Sequence, residues 1–376
     1  MTWPSVVYSE EVIREGFGIE DVGIPVSARV ELLDALSATG LKRITVGAFV
    51  SPRFVPQMAC LEELLQKFHP VKGVEYLLFI HNDKARKLAE KYSPPLTLEA
   101  ELCTLFLDIC DVHSRRNVNR SVEQIMATWP EVVHQAKAQG LRQGRIGIAS
   151  AWGSNFLGKF TQRYCLSFIE RQYELMKAAG IEVVEIGLHD SQSWCVPHEM
   201  EQYLVEVKRR WPEVKRFHLH MHNARGMALP SIYSALRTLG PDDTLLLEGT
   251  LGGIGGGQYG GNGRASGMAP TEDLLHMLEG MGIDTGVDLD KIIECVWLLE
   301  RIIGRPAFGL VAKAGRRPAT PDEYYDPNMP AVESLEAAKH FKHGPAAYQK
   351  EGYSPWKQPI TGPFYRGTEA PTIKER

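Results

Sequence analysis

The amino-acid sequence predicts an α/β chain folded as a TIM (β/α)8 barrel, with extra C-terminal helices and a tail rich in proline and aromatics. Three observations carry that prediction. Apolar, β-rich runs alternate with amphipathic helical stretches almost from end to end. One run closes on a His-X-His-X-His ladder at His218, His220 and His222. The next, Leu245 to Leu247, leads into a glycine-rich loop that runs from Gly252 to Gly257 and on to Gln258 and Tyr259. A doubly wound open sheet alternates in the same way, but it carries a glycine fingerprint after its first strand, and this chain has none there.

The elements follow in order. A strand region from Val6 to Ile13 opens the chain. Between Pro25 and Thr39, Val26, Val30, Leu33 and Leu36 recur at helical spacing until Gly40 stops them. Further strands are expected at Ile44–Val46, Val74–Ile80, Leu98–Leu102, Ile146–Ala149, Val183–Leu188, Phe217–His222 and Thr244–Leu247. Helical periodicity marks Leu61–Phe68, Lys84–Tyr92, Val122–Ala138, Tyr164–Ala179, Met200–Arg210, Met227–Leu239 and Glu272–Met281. The catalytic barrel is expected over residues 1–312. From about Gly315 the texture changes to proline, charge and aromatics, including Tyr348, Tyr353, Trp356, Phe364 and Tyr365. Disordered tails are poor in aromatics, so residues 313–376 read as an arm that packs on the barrel or on a partner subunit, with one helix near Ala331–Phe341.

The bulk figures narrow the class. A chain of 376 residues, 44% hydrophobic and 23% charged, builds a sizeable globular core. A net charge of −4 without a Lys/Arg block gives no reason to expect nucleic acid. Met1 to Ser5 lacks the basic and apolar regions of a secretory signal, and no apolar run reaches membrane-span length. The six cysteines are scattered, without a Cys-X-X-Cys pair, as in a reducing compartment. The expectation is a cytoplasmic homo-oligomer acting on a small-molecule substrate.

Working residues of such a barrel sit at the C-terminal ends of its strands. Those ends gather Arg14-Glu15-Gly16, Thr45 to Gly47, His189-Asp190-Ser191, His220 with His222, and the glycine loop. Side chains at i and i+2 of a strand share a face, so the three histidines point one way. Glu15, His220 and His222 make a two-histidine, one-carboxylate set, a minimal divalent-metal site. Such an ion acts as a Lewis acid, and the fixed charge of Arg14 would stabilise a developing enolate. Taken singly, each signal is bland: His-X-His is more often structural, an Arg-Glu pair is usually solvated, and glycine loops are common. Their shared place on one rim gives them weight.

Three segments, Ala48–Met58, Arg116–Asn119 and Met277–Val287, resemble those of 3-hydroxy-3-methylglutaryl-CoA lyases, and the likeness runs in the same order over residues 10–312. That family belongs to the DRE-TIM lyases and synthases, which cleave or form a carbon–carbon bond through an enolate. The resemblance implies a TIM barrel, His220 and His222 as metal ligands, Arg14 as the enolate-stabilising arginine, and Mg²⁺ or Mn²⁺ as the ion. The donor set alone also suits Zn²⁺ or Fe²⁺.

Departures from the family are as informative. Its metal-binding aspartate is Glu15 here, its second-strand glutamate is Thr45, and its loop cysteine falls on Gly257. Its asparagine ligand aligns with Met268, for which Asn262 is a candidate substitute. Family serines become Ala48, Cys110 and Gly187, and a lysine after the first strand becomes Asp21. His189 occupies a family glycine position beside Asp190, which could orient it only if the backbone bends there, and His218 is expected one layer deeper. The candidate catalytic residues are therefore Arg14, His189 and Asp190. Substrate contacts are assigned to Asn117, Ser191, Tyr259 and Asn262, and the metal to Glu15, His220 and His222. The leading expectation is a metal-dependent lyase or aldolase of a 3-hydroxy-acid-type substrate other than HMG-CoA itself. The alternatives are a Claisen-type synthase of the isopropylmalate synthase kind, a hydrolase or redox enzyme on the same site, and a non-catalytic barrel.

Overall fold

The computed structural model describes residues 2–80, 82–257, 267–329, 331–332 and 352–362. Eight strands form the wall: β1 (Ser5–Glu10), β2 (Arg43–Gly47), β3 (Glu75–Leu78), β4 (Cys103–Asp108), β5 (Gln143–Ala149), β6 (Glu182–Asp190), β7 (Arg216–Met221) and β8 (Thr244–Gly249). Their order in the sheet is β3-β2-β1-β8-β7-β6-β5-β4, and every pair is parallel. This is the cyclic order of a TIM barrel, joined between its first and last strands. Among the described residues β3 and β4 share no ladder; Tyr76 of β3 instead bridges to Leu96 in the segment before β4.

Helices α1 (Val26–Ser37), α2 (Leu61–Lys67), α3 (Asp83–Glu90), α4 (Asp111–Val118), α5 (Val122–Met126) and α6 (Trp129–Ala138) lie between the first five strands. They are followed by α7 (Gln162–Ala179), α8 (Pro197–Arg210), α9 (Ala228–Thr238), α10 (Thr271–Gly280) and α11 (Leu289–Ile303). Strand alternation sorts side chains into two environments. On β7, Phe217, Leu219 and Met221 are buried under the helices with Leu204, Val207, Ile232 and Leu236, at about 1.5–3 kcal/mol for each large side chain so buried. His218 and His220, on the other face, line the lumen and stay partly exposed.

Local chemistry explains where the elements differ from expectation. β1 stops at Glu10, and Val12–Gly16 coils into a single π-helical turn that carries Arg14 and Glu15. The fourth strand is Cys103–Asp108, not Leu98–Leu102: the earlier stretch alternates in the same way, but Cys103, Leu105 and Leu107 are the residues that bury under helices. The helix expected over 122–138 is two, because Pro130 sits in the first turn of α6, where its missing N–H costs nothing. α4 and α11 were not anticipated as separate elements; Asp288 caps α11 at its start, and Gly304, at φ +68°, ends it.

The chain divides into two compact units, one ending at Leu310 and one beginning at Val311. In the second, Arg316 grips Glu323 through both oxygens at 2.9 and 2.7 Å. Ala331–Val332 pairs antiparallel with Gly352–Tyr353, and the Asn328 side chain exchanges two hydrogen bonds with the backbone of Ile360. The helix expected from Ala331 is thus corrected at its start, which is strand; the remainder of that stretch lies outside the described residues.

Candidate metal centre and active site

The site is built across the seam between β8 and β1. After β1 the π-turn folds tightly, the Glu11 carbonyl accepting from the N–H of Glu15 at 2.7 Å and of Gly16 at 3.2 Å. The glycine loop after β8 lies directly against it. A Cβ on Gly255 would stand 2.6 Å from the Glu15 carbonyl oxygen, and the residue has φ +93°, so only glycine fits there. The loop's glycines thus hold the backbone that presents Glu15.

At the mouth, Glu15, His220 and His222 each offer a ligand atom within 4.8 Å of the others. The two imidazole Nε2 atoms are 3.2 Å apart, and His222 Nε2 is 4.0 Å from Glu15 Oε1. A cation with bonds of about 2.1 Å to two nitrogens holds them at about this separation. The donor set therefore fits a divalent cation. Its fit is sharpened by Glu248, paired across the ladder with His220, whose Oε2 lies 2.5 Å from His220 Nδ1 while Oε1 lies 3.1 Å from His218 Nε2. That contact places the His220 proton on Nδ1 and frees the Nε2 lone pair to face His222.

Arg14 is pinned from two sides, by Glu11 at 2.5 Å and by Glu15 at 2.9 Å, with its guanidinium 5.2 Å over the Phe79 ring. Burial works against the charge on Arg14, but Glu11, Glu15 and Glu248 outweigh it and keep it protonated. Burial likewise opposes ionisation of Glu15, and Arg14 with the two imidazoles overcomes it, holding the carboxyl below its usual range. Glu248 is held well below that range by His218 and His220 in spite of its burial. Glu11 goes the other way: burial pushes it up to about 7, against the pull of Arg14.

His189 lies in the lumen, its ring 4.7 Å from those of Phe106 and His218 and 5.3 Å from that of His220. It leans down the strand, with Nε2 buried, without a hydrogen-bond partner, and 3.3 Å from where a Cβ on Gly187 would stand. Burial, then His218 and His220, push its pKa well below the ordinary histidine value, so it is neutral. Asp190 does not reach it. Its oxygens accept from the N–H groups of Trp194 at 2.8 Å and Cys195 at 2.7 Å, and burial raises its pKa to about 6. Neighbours on a strand face opposite sides, and the expected bend is absent here.

Ser191 starts the turn after β6, and Asn117 is exposed near the end of α4, with no contact that ties it to the metal cluster. Tyr259 and Asn262 lie outside the described residues. His218 sits one register below His220, opposite Gly187 and Leu246. Met268 is buried and bridges to His222, Thr45 works to lower the pKa of Glu11, and among the described residues nothing lies within 4 Å of where a Cβ on Gly257 would stand. Sequence reasoning missed Glu248 and Glu11. Both continue a lumen-facing alternation, Leu246 to Glu248 and Val7 to Ser9 to Glu11, and that two-residue step was the available signal.

On the opposite arc, the loops after β5, β6 and β7 are laced together. Arg225 donates to the carbonyls of Gln192 at 2.7 Å and Ser193 at 3.1 Å and to Asn155 Oδ1 at 2.8 Å, and Trp194 donates to the same Asn155 oxygen at 3.0 Å.

Comparison with known proteins agrees with this geometry. The HMGL-like family model matches residues 6–298. The cytoplasmic 3-hydroxy-3-methylglutaryl-CoA lyase of Homo sapiens is 30% identical over 301 residues, 80% of this chain and 76% of its own length. Hydroxymethylglutaryl-CoA lyase of Pseudomonas mevalonii is 30% identical over 308 residues, 81% of this chain and 96% of its own. Among solved structures, an HMG-CoA lyase from Acinetobacter baumannii in complex with coenzyme A and 3-methylmalate superposes with a TM-score of 0.68 at 29% identity, covering 84% of this chain and 97% of that one.

Proposed function

Because the chain belongs to the HMGL-like family, and is with it a metal-dependent carbon–carbon lyase of the DRE-TIM type, we propose that it cleaves a 3-hydroxy-acid-type substrate other than HMG-CoA, with Glu15, His220 and His222 as the metal ligands. The observation that carries this reading is the convergence of those three donors beside a half-buried, doubly paired arginine. A bound divalent cation supplies Lewis-acid polarisation of substrate oxygens. Arg14 faces the same space and holds the negative charge that builds on the enolate oxygen as the carbon–carbon bond breaks. Glu11 and Glu15 fix the guanidinium, so little reorganisation accompanies the charge.

In this cleavage the substrate hydroxyl loses its proton to a base and becomes the carbonyl of one product, while the bonding pair of the broken bond passes to the enolate. His189 is the base in our reading. Its ring lies 5.3 Å from that of His220, and its shielded Nε2 leaves Nδ1 as the nitrogen for proton transfer. The proton it takes returns to the enolate carbon.

HMG-CoA is set aside because the rim lacks two of the family's proton-transfer groups. Thr45 stands for a glutamate, and Gly257 stands for a cysteine. No described helix is long and apolar enough to cross a membrane. The direct test is elemental analysis of protein purified without chelator, with the His220→Ala/His222→Ala double variant alongside. Near-stoichiometric metal in the wild type and background in the variant is expected; equal metal in both would remove the centre.

A further inference from the structure

We propose that Cys60 is a modification site, a thiol that hydrogen peroxide converts to a sulfenic acid whose oxygen is held between Arg29 and Gln57. The inference goes beyond the lyase reading and does not rest on it.

Arg29 is the starting point. It lies on α1, is only 2% exposed, and has no carboxylate partner among the described residues. A buried guanidinium is costly unless it is paired. Its Nη1 donates to the Gln57 carbonyl at 2.8 Å and its central carbon lies 4.8 Å from the centre of the Phe17 ring, while Nε is buried without a hydrogen-bond partner. Burial works against the charge, and the Cys60 sulfur is the group that works for it. The Cys60 Sγ lies 3.7 Å from the same Gln57 carbonyl oxygen, so sulfur and guanidinium meet on one atom. The Gln57 amide is oriented by its Nε2, which donates to the Glu20 carbonyl at 3.2 Å. That leaves Gln57 Oε1 buried and unpaired.

These groups share one space. Arg29, Gln57 and Cys60 line a cavity of about 10 Å³, close to what one water-sized guest needs, and its other walls are apolar, Ile13, Val46 and Leu61 among them. An oxygen added to Sγ therefore meets a spare donor in Arg29 and a spare acceptor in Gln57. Cys60 is also the one cysteine of the six that is not buried, so peroxide can reach it. A partly exposed sulfur beside a fixed positive charge is the setting in which thiols oxidise readily. The sulfur attacks one peroxide oxygen, forming the S–O bond as the O–O bond breaks. Sulfur gives up two electrons to the peroxide, and the thiol proton leaves with the departing hydroxide as water. The new S–OH accepts from Arg29 and donates to Gln57 Oε1. No second cysteine lines the cavity to condense with it, so the sulfenic acid persists.

The probe is hydrogen peroxide, added at neutral pH to the full chain, with dimedone to trap sulfenic acid and peptide mass spectrometry to locate it. Label should fall on Cys60, and should form about tenfold faster or more than on glutathione in the same buffer. In Arg29→Met the Cys60 rate should drop by about tenfold. The glutathione comparison is read on the wild type alone, so a variant that fails to fold does not spoil the test. A Cys60 rate near that of glutathione, or label spread evenly over the other cysteines, overturns the site. A fast rate unchanged in Arg29→Met reduces the effect to exposure of the sulfur and overturns it as well.

Discussion

The two arcs of the barrel wall are built on opposite terms. From β5 through β6, β7 and β8 to β1 the ladder is continuous, and its lumen side chains are locked across strands: His220 opposite His189 and Glu248, Glu248 on both His218 and His220. Between β3 and β4 the ladder is missing, and the facing side chains are apolar and exposed. The contrast teaches where a barrel can vary. The histidines sit on paired strands with a carboxylate layer behind them, which holds their rings to a fraction of an ångström.

The sharpest break of that comparison is on the paired arc. Replacing His189 by glycine should lower kcat by about 10²–10⁴-fold, once a substrate is in hand, while metal content stays near that of the wild type. An unchanged kcat would reduce the imidazole to filler over Gly187. For the same reason, HMG-CoA turnover should be absent or very weak. Each of the two missing family groups ordinarily contributes about 10²–10⁴-fold, and robust acetoacetate release would mean that Thr45 and Gly257 matter less than argued.

Next comes the layer behind the ligands. Glu248→Gln keeps the shape of the side chain but loses the charge that orients His220, and should weaken metal affinity by about 10–100-fold in a competition titration. A variant with wild-type affinity would show that the ladder alone sets the ring.

Gly255→Ala probes the seam. It forces a Cβ onto the Glu15 carbonyl at positive φ, and should cost about 1–3 kcal/mol in denaturant unfolding. The smallest effect concerns pH. Burial raises Glu10 to about 7 and Glu272 to about 8, where their carboxylates accept from the N–H groups of Leu251 and Gly252. An unfolded glutamate titrates near about 4.3, so the folded state binds more protons between those values, and stability falls as pH rises through 5 to 8. Glu272→Gln should flatten part of that slope in melting curves; a parallel curve would assign the slope to other groups.

The same contrast explains what the sequence made legible. The helical and strand periods gave eight strands and their cyclic order, because burial on the outer faces of β5 to β8 is nearly strict. The candidate trio Glu15, His220 and His222 was visible from strand-end positions and the family resemblance, and the fold brings its ligand atoms within 4.8 Å of one another. Glu248 and Glu11 were hidden because the partners that give them meaning, His218 with His220 and Arg14, are set by register and by an irregular turn. β4 was displaced by five residues because Leu98, Ala100 and Leu102 imitate the alternation of the true strand, and sequence does not say which stretch helices will cover. Asp190 looked like a partner for His189 by adjacency, whereas its backbone neighbours four and five residues on claim both oxygens.

The seam between β1 and β8 also sets an order of assembly. It joins residues 5–10 to residues 244–249, so Glu15 meets His220 and His222 only across most of the barrel's length in sequence. Contacts of such long range form late, since the loop they close must first be ordered. As the chain emerges, β1 has no partner at its outer edge until β8 has been made, and the three candidate ligands come together at that moment. The centre is thus the clasp of the barrel: folding intermediates that hold β4 to β7 would already carry both histidines, yet have no carboxylate to complete the site.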